Sequence, residues 1–242
     1  ALPIYLAPMA LGEMTDGVTP LSMAGAYQIF GNGGIYTEPY SYTRVETADG
    51  TVILEHTPIS NRVISNESAT VLNHLLQGVT TGTYGTGTTA KFSAMPVAGK
   101  TGTSDNDNNQ WFIGVTPYYV GVCWLGYDIP EQIRYYSYAP PIIYKNIMGP
   151  IHQNLAVVQF QDDPDVEVLE YCTITGDLAG DDCETTAIGW YKPSNIPPVC
   201  DGDHYVNKKD EDEDEEDQDE GEKKDEDEED DRRNNRDDED ED

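Results

Sequence analysis

The chain predicts an α+β fold, with helices packed against an antiparallel sheet, and three observations carry that expectation. Apolar residues recur at helical spacing in three separate segments. Between the second and third segments lie three short runs rich in β-branched and aromatic residues, joined by turn-forming residues. The chain then loses its apolar pattern and ends in a low-complexity acidic tail that has nothing to bury.

The first helix is announced by Gly17-Val18-Thr19-Pro20, where Thr19 reads as an N-cap and Pro20 as the first helical residue. Met23, Ala26, Tyr27 and Phe30 follow at helical spacing as a core-facing stripe, and Gly31-Asn32-Gly33-Gly34 stops the helix. Thr43 to Leu54 alternates around Asp49-Gly50, a hairpin signal. Ser65 or Asn66 caps a second helix whose Ala69, Leu72, Leu75, Leu76 and Val79 line one face. Thr80 to Thr89 is a Gly/Thr-rich loop. It lacks the Gly-Lys-Ser/Thr ending of a phosphate-binding loop and follows a helix rather than a strand, which argues against a nucleotide site.

The strand candidates are 97–103, 111–116 and 118–127, with Pro117 in the tight connection between the last two. Ile143, Ile147, Ile151 and Leu155 recur every four residues after Pro140-Pro141. They predict a final helix laid on the sheet and kinked at Gly149-Pro150. Residues 161–206 read as a loop-rich extension carrying three of the four cysteines.

Charge narrows the partners. The chain holds 46 acidic and 14 basic residues, a net charge of −32, and 24 of the acidic and 7 of the basic residues lie from Asn207 onward. Both parts are strongly acidic, which argues against nucleic acid and anionic lipid. There is no signal-like segment and no run of 18 apolar residues. Sixteen tyrosines against four phenylalanines suit a wet, ligand-facing surface.

One stretch concentrates chemistry. Val97-Ala98-Gly99-Lys100-Thr101-Gly102-Thr103-Ser104 places a cation, two threonine hydroxyls and two glycines on a single extended segment. The glycines remove side chains that would keep a peptide-like ligand from lying along the strand. Lys-Thr-Gly is one of three signatures of serine acyltransferases that react with penicillin, beside Ser-x-x-Lys and Ser-Asp-Asn.

With its neighbours, this stretch resembles the transpeptidase domain of penicillin-binding proteins, in particular the bifunctional class A type. Gly17-Val18-Thr19-Pro20-Leu21 with Met23-Ala24, Ala26-Tyr27 and Asn32-Gly33-Gly34 is similar to that family's Gly-Val-Thr-Pro-Leu helix. Leu76-Gln77-Gly78-Val79 with Gly85-Thr86-Gly87 and Ala90 resembles the segment feeding the catalytic strand. Trp111-Phe112-Ile113-Gly114-Val115-Thr116-Pro117 resembles the strand after it, and Met148 with Ile151-His152 the closing helix. These matches keep the family's order over residues 1 to 160. Asn109 stands where the family usually has an acidic residue, and Pro150 is unusual in the closing helix.

The resemblance implies a penicillin-binding/serine β-lactamase-like fold and peptidoglycan cross-linking by a D,D-transpeptidase, without a cofactor. In that reading Lys100 supplies positive potential and tunes proton transfer, and Thr101 and Thr103 hydrogen-bond the substrate carboxylate. Gly102 leaves room, and the Thr103 backbone N–H is one oxyanion donor. The implied ligands are peptidoglycan stem peptides and β-lactams. The implied location is the outer face of the bacterial cytoplasmic membrane, in the extracellular cell-wall compartment, reached through an N-terminal anchor and accompanied by a glycosyltransferase domain.

No Ser-x-x-Lys occurs in the 242 residues. Ser104-Asp105-Asn106 spells the second signature but directly follows Lys-Thr-Gly, and one segment cannot form both walls of a cleft. It reads as turn chemistry. The expectation is therefore a C-terminal part of a longer protein: residues 1–160 from the transpeptidase domain, 161–206 an extension, 207–242 a disordered acidic tail. The piece alone is expected to be inactive. Two rivals are a D-Ala-D-Ala carboxypeptidase or β-lactamase-like hydrolase, and a non-catalytic cell-wall binding or scaffold protein.

Cys123 falls in an apolar strand as a buried thiol. Cys172, Cys183 and Cys200 are disulfide candidates, Cys172 with Cys183 foremost because they bracket a Gly-containing turn. Cys200 and His204 together fall short of a four-ligand metal set, so no metal is expected.

Overall fold

The computed structural model describes residue 12 and residues 17–134 and 139–204. The chain divides into two units, Ala1–Gly202 and Asp203–Asp242; the description below concerns the first. The tail expected from Asn207 lies outside the described residues.

Helix α1 (Pro20–Tyr27) begins as its sequence dictates, with Thr19 Oγ1 accepting the Ser22 N–H at 3.1 Å. It tightens into a 3₁₀ turn over Gln28–Phe30. Met23, Tyr27 and Phe30 are only half-buried and Ala26 is exposed. The buried position is Gly25, where a Cβ would come within 3.0 Å of Pro39. Four short strands follow: β1 (Ile35–Thr37), β2 (Arg44–Glu46), β3 (Val52–Glu55) and β4 (Ser60–Arg62). β1 pairs antiparallel with β4. β2 pairs with β3 around Asp49-Gly50, Gly50 taking the φ of +88° that its turn requires.

Helix α2 (Asn66–Thr81) is capped by Ser65, whose Oγ accepts the Ser68 N–H at 3.2 Å. Its buried residues are Ala69, Thr70, Asn73 and Thr80, whereas Leu72 and Leu75 of the expected apolar face are exposed. Backbone carbonyls explain the choice of face. Asn73 Nδ2 donates to Phe30 O at 2.7 Å and Thr80 Oγ1 donates to Val97 O at 2.5 Å, so the polar side chains seal the helix onto neighbouring loop and strand ends.

The central sheet has the order β5-β6-β7, from β5 (Ala98–Thr103), β6 (Asn109–Val115) and β7 (Val120–Gly126). All pairing is antiparallel, with Thr101 opposite Phe112 and Phe112 opposite Cys123. Thr116 N–H donates to Tyr119 O at 2.8 Å across the turn holding Pro117. Helix α3 (Ala139–His152) closes the layer, but not on its isoleucine stripe. Ile143, Ile147 and Ile151 are exposed, and Tyr144, Met148 and His152, one position on, are buried. Gly114 and Gly121 pair across β6 and β7 and leave a slot for Tyr144: a Cβ at either would sit 2.4 and 2.8 Å from its ring. Ala90, Phe92, Met95, Val97, Phe112, Tyr144 and Met148 form the core around that slot. Burial pushes the Cys123 thiol upward, as it does the Tyr144 phenol.

Beyond α3 the region read as loop contains an antiparallel ribbon, β8 (Glu167–Cys172) with β9 (Thr186–Tyr191). Polar and aromatic contacts dock it on α2. His74 stacks on Trp190 with ring centroids 4.1 Å apart and pairs with Asp162 at 3.0 Å. Lys192 Nζ donates to Ser68 Oγ at 3.0 Å and Asn66 Nδ2 to Asp163 Oδ2 at 2.6 Å. The three disulfide candidates Cys172, Cys183 and Cys200 are brought together at the end of this ribbon. Among the described residues, no helix is long and apolar enough to cross a membrane.

Candidate functional site

β5 is an edge strand, and its hydrogen-bonding register determines what it offers outward. Ser104 N–H donates to Asn109 O at 3.0 Å. Bonding alternates along an antiparallel ladder, so the peptide groups of Ala98, Lys100 and Gly102 turn toward β6. Those of Thr101 and Thr103 turn to the open edge. Lys100 agrees with this assignment, because its Nζ curls back to Thr101 O at 2.9 Å. The open edge therefore carries the Thr103 N–H and the Thr101 carbonyl, which accepts from the Lys100 ammonium.

Side chains alternate as well. Thr101 and Thr103 share one face of the sheet and Lys100 lies on the other, exposed. Thr101 Oγ1 is 2.7 Å from Thr86 Oγ1 in the Gly/Thr-rich loop, so that loop flanks the strand instead of cradling a phosphate. Thr86 was not among the sequence candidates as a site residue; the Gly85-Thr86-Gly87 resemblance was the available signal. Among the described residues the ion pairs are Arg44–Glu46 and His74–Asp162, so no carboxylate neutralises Lys100.

The two glycines of the strand sit in different surroundings. Gly99 is buried, and a Cβ there would meet the Phe112 ring at 2.6 Å, so its small size serves core packing. Gly87 does the same from the loop, at 2.9 Å from that ring. Gly102 is half-buried opposite Trp111, whose Cβ lies 3.3 Å from where a new Cβ would stand. Trp111 is itself half-buried and faces Trp124 at 6.1 Å.

Ser104-Asp105-Asn106 belongs to the connection between β5 and β6, a 3₁₀ turn over Asp105–Asp107 with Asn106 and Asp107 in the left-handed region. Asn and Asp tolerate that conformation better than most side chains. Ser104 Oγ is used to accept the Asn109 N–H at 3.0 Å, and Asn109 Oδ1 accepts the Trp124 indole N–H at 2.9 Å. The departure at Asn109 thus has a structural role at the strand end.

Chemically, this arrangement grips an extended chain bearing an anion. Outward backbone groups pair with a peptide, hydroxyls and an ammonium meet a carboxylate, and an N–H stands ready for a developing oxyanion. It contains no paired serine and base.

Comparison with known proteins agrees with this architecture. The penicillin binding protein transpeptidase domain family matches residues 4–149, more than half of the chain. Penicillin-binding protein 1A of Clostridium botulinum (strain Langeland) is 40% identical over 174 residues, covering 72% of this chain and 21% of that protein. Penicillin-binding protein 1A of Clostridium acetobutylicum is 42% identical over 153 residues, covering 63% and 18%. Penicillin-binding protein 4 of Bacillus subtilis is 37% identical over 139 residues, covering 57% and 22%. The crystal structure of penicillin-binding protein 1A from Haemophilus influenzae shares the fold, with a TM-score of 0.63 at 20% identity over 74% of this chain and 32% of that one. The chain spans about a fifth of the length of these curated relatives. On the family match and the order of its motifs, the chain belongs to the penicillin-binding protein transpeptidase family.

Proposed function

We propose that β5 forms one wall of an acyl-transfer cleft acting on D-alanyl-D-alanine stem peptides, and that β-lactams acylate the same cleft. The serine nucleophile is supplied from elsewhere in a longer protein. That serine attacks the penultimate D-alanine carbonyl, terminal D-alanine leaves, and an amine of a second stem peptide takes the acyl group. Lys100 holds the terminal carboxylate and biases proton transfer; the Thr101 and Thr103 hydroxyls bond that carboxylate. Gly102 admits the peptide, and the Thr103 N–H binds the oxyanion, a contact of a kind worth about 3 kcal/mol in the transition state. The observation that carries this reading is the open edge, where the Thr103 amide points outward beside a lysine that pairs with no carboxylate among the described residues.

The reading places the intact protein at the outer face of the bacterial cytoplasmic membrane, engaged in cross-linking the wall. A membrane anchor and a glycosyltransferase domain accompany it in the same proposal.

Labelling with fluorescent penicillin tests it. The intact protein is expected to label, and the 242-residue chain alone is not. Lys100→Ala in the intact protein is expected to slow acylation roughly a hundredfold, and Thr101→Ala roughly tenfold. An unchanged rate in Lys100→Ala removes β5 from the site, and labelling of the short chain shows that the nucleophile lies within it.

A further inference from the structure

The ribbon beyond α3 lacks an ordinary core. Among the described residues from 153 to 204, only Cys172 and Cys200 are buried. Val168, Ile174, Ile188, Ile196 and Val199 are all exposed. A two-stranded ribbon is marginal in water, and small units without a sufficient hydrophobic core rely on metals or disulfides. The only side chains this region buries are sulfur ligands.

Those sulfurs are gathered with care. The Sγ atoms of Cys172, Cys183 and Cys200 lie within 4.8 Å of one another. Three backbone devices present them. Cys172 ends β8 and opens a tight loop, in which its carbonyl accepts the Gly176 N–H at 2.8 Å and backbone N–H groups of Thr175 and Ile174 donate to its sulfur. Gly176 takes a φ of +82°, which favours glycine. A second loop repeats the motif: Gly180 N–H donates to Cys183 Sγ at 3.3 Å, and Cys183 N–H donates to Gly180 O at 3.2 Å. Cys200 is held against both by its N–H to Leu178 O at 2.8 Å. N–H groups aimed at sulfur are outer contacts of the kind that orient a metal-binding side chain.

We propose that Cys172, Cys183 and Cys200 bind a structural zinc ion. A tetrahedral site with Zn–S bonds of about 2.3 Å spaces its sulfurs about 3.8 Å apart. The observed grouping needs to contract by an ångström at most. Three thiolates supply three of the four positions of a tetrahedral zinc, and soft sulfur ligands disfavour magnesium and calcium. The ion stands in for the missing core and staples β8, the following loops and the Cys200 segment. Binding releases the thiol protons to solvent and leaves no oxidised sulfur.

The full 242-residue chain, purified under reducing conditions without chelator, is expected to carry one zinc per chain by elemental analysis. Replacement by cobalt(II) is expected to give thiolate-to-cobalt charge-transfer absorption together with tetrahedral visible bands. Cys200→Ser should weaken cobalt binding at least tenfold. Because cysteine variants can fail to fold, a mercurial thiol reagent added to the unmodified chain supplies a second readout, the stoichiometric release of zinc. Two results overturn the proposal. One is a reduced, folded chain that holds no zinc and gives no cobalt spectrum. The other is a native chain two hydrogens light, with a disulfide among these three cysteines, that takes up no metal after reduction.

Discussion

The central sheet and the β8–β9 ribbon reach stability by opposite means. The sheet is buried by close fit: Phe112, Tyr144 and Met148 are nearly inaccessible, and glycines on four segments leave the space that the two rings occupy. The ribbon buries two cysteines, exposes its aliphatic residues, and leans on α2 through one aromatic stack and a few polar contacts. Apolar burial is cooperative and intolerant of volume changes, whereas a ligand-held loop system tolerates surface change and depends on its ligands. The site strand belongs to the first kind. Its outer edge is held in place because its inner partner, β6, is locked.

Variants can break or sharpen this comparison. Phe112→Ala should have the largest effect, about 4 kcal/mol, because it empties the centre of the core. Calorimetry should show global unfolding roughly 10 °C lower; a loss confined to one segment would contradict the cooperative reading. Gly114→Ala should cost about 2 kcal/mol by forcing a Cβ into the Tyr144 ring, read from chemical denaturation. A cost near zero would mean that the slot is not tightly filled.

Trp190→Ala should cost about 1 kcal/mol and act locally. Hydrogen exchange should speed up in β8 and β9 while β5 to β7 keep their protection. Equal deprotection of both would merge the two regions into one cooperative unit. The smallest effect is expected from Tyr144→Phe. Among the described residues the Tyr144 hydroxyl is buried without a hydrogen-bond partner, so removing it should raise stability by up to about 1 kcal/mol in the same denaturation assay. A clear destabilisation would reveal a partner for that hydroxyl.

Local rules read well where local physics decides. Thr19-Pro20 and Ser65 start their helices as their capping chemistry requires, and Asp49-Gly50 turns its hairpin. The three central strands begin and end within about two residues of their sequence boundaries. Face selection was read less well. The α3 isoleucines and the adjacent Tyr144, Met148 and His152 both repeat every four residues, so periodicity identifies a helix without saying which stripe goes inside. The glycine pair on β6 and β7 settles it by offering a slot that fits a tyrosine ring. On α2 the buried stripe is polar because it satisfies distant carbonyls at Phe30 and Val97. That demand is invisible until the chain has folded.

The sequence by itself determined the three helices, the Asp49-Gly50 hairpin, the central strands, their order and the family, but not the β8–β9 ribbon, which read as loop. These follow from neighbouring residues, through capping, turn chemistry and period. Only the tertiary structure decided which faces are buried, that Gly99 exists for Phe112 and not for a ligand, and that the Thr103 amide faces the open edge. It also carried Cys172 and Cys183 to Cys200, across gaps in sequence that no spacing rule spans. Such choices depend on shape and hydrogen-bonding partners supplied by remote segments, which exist only once the segments have met.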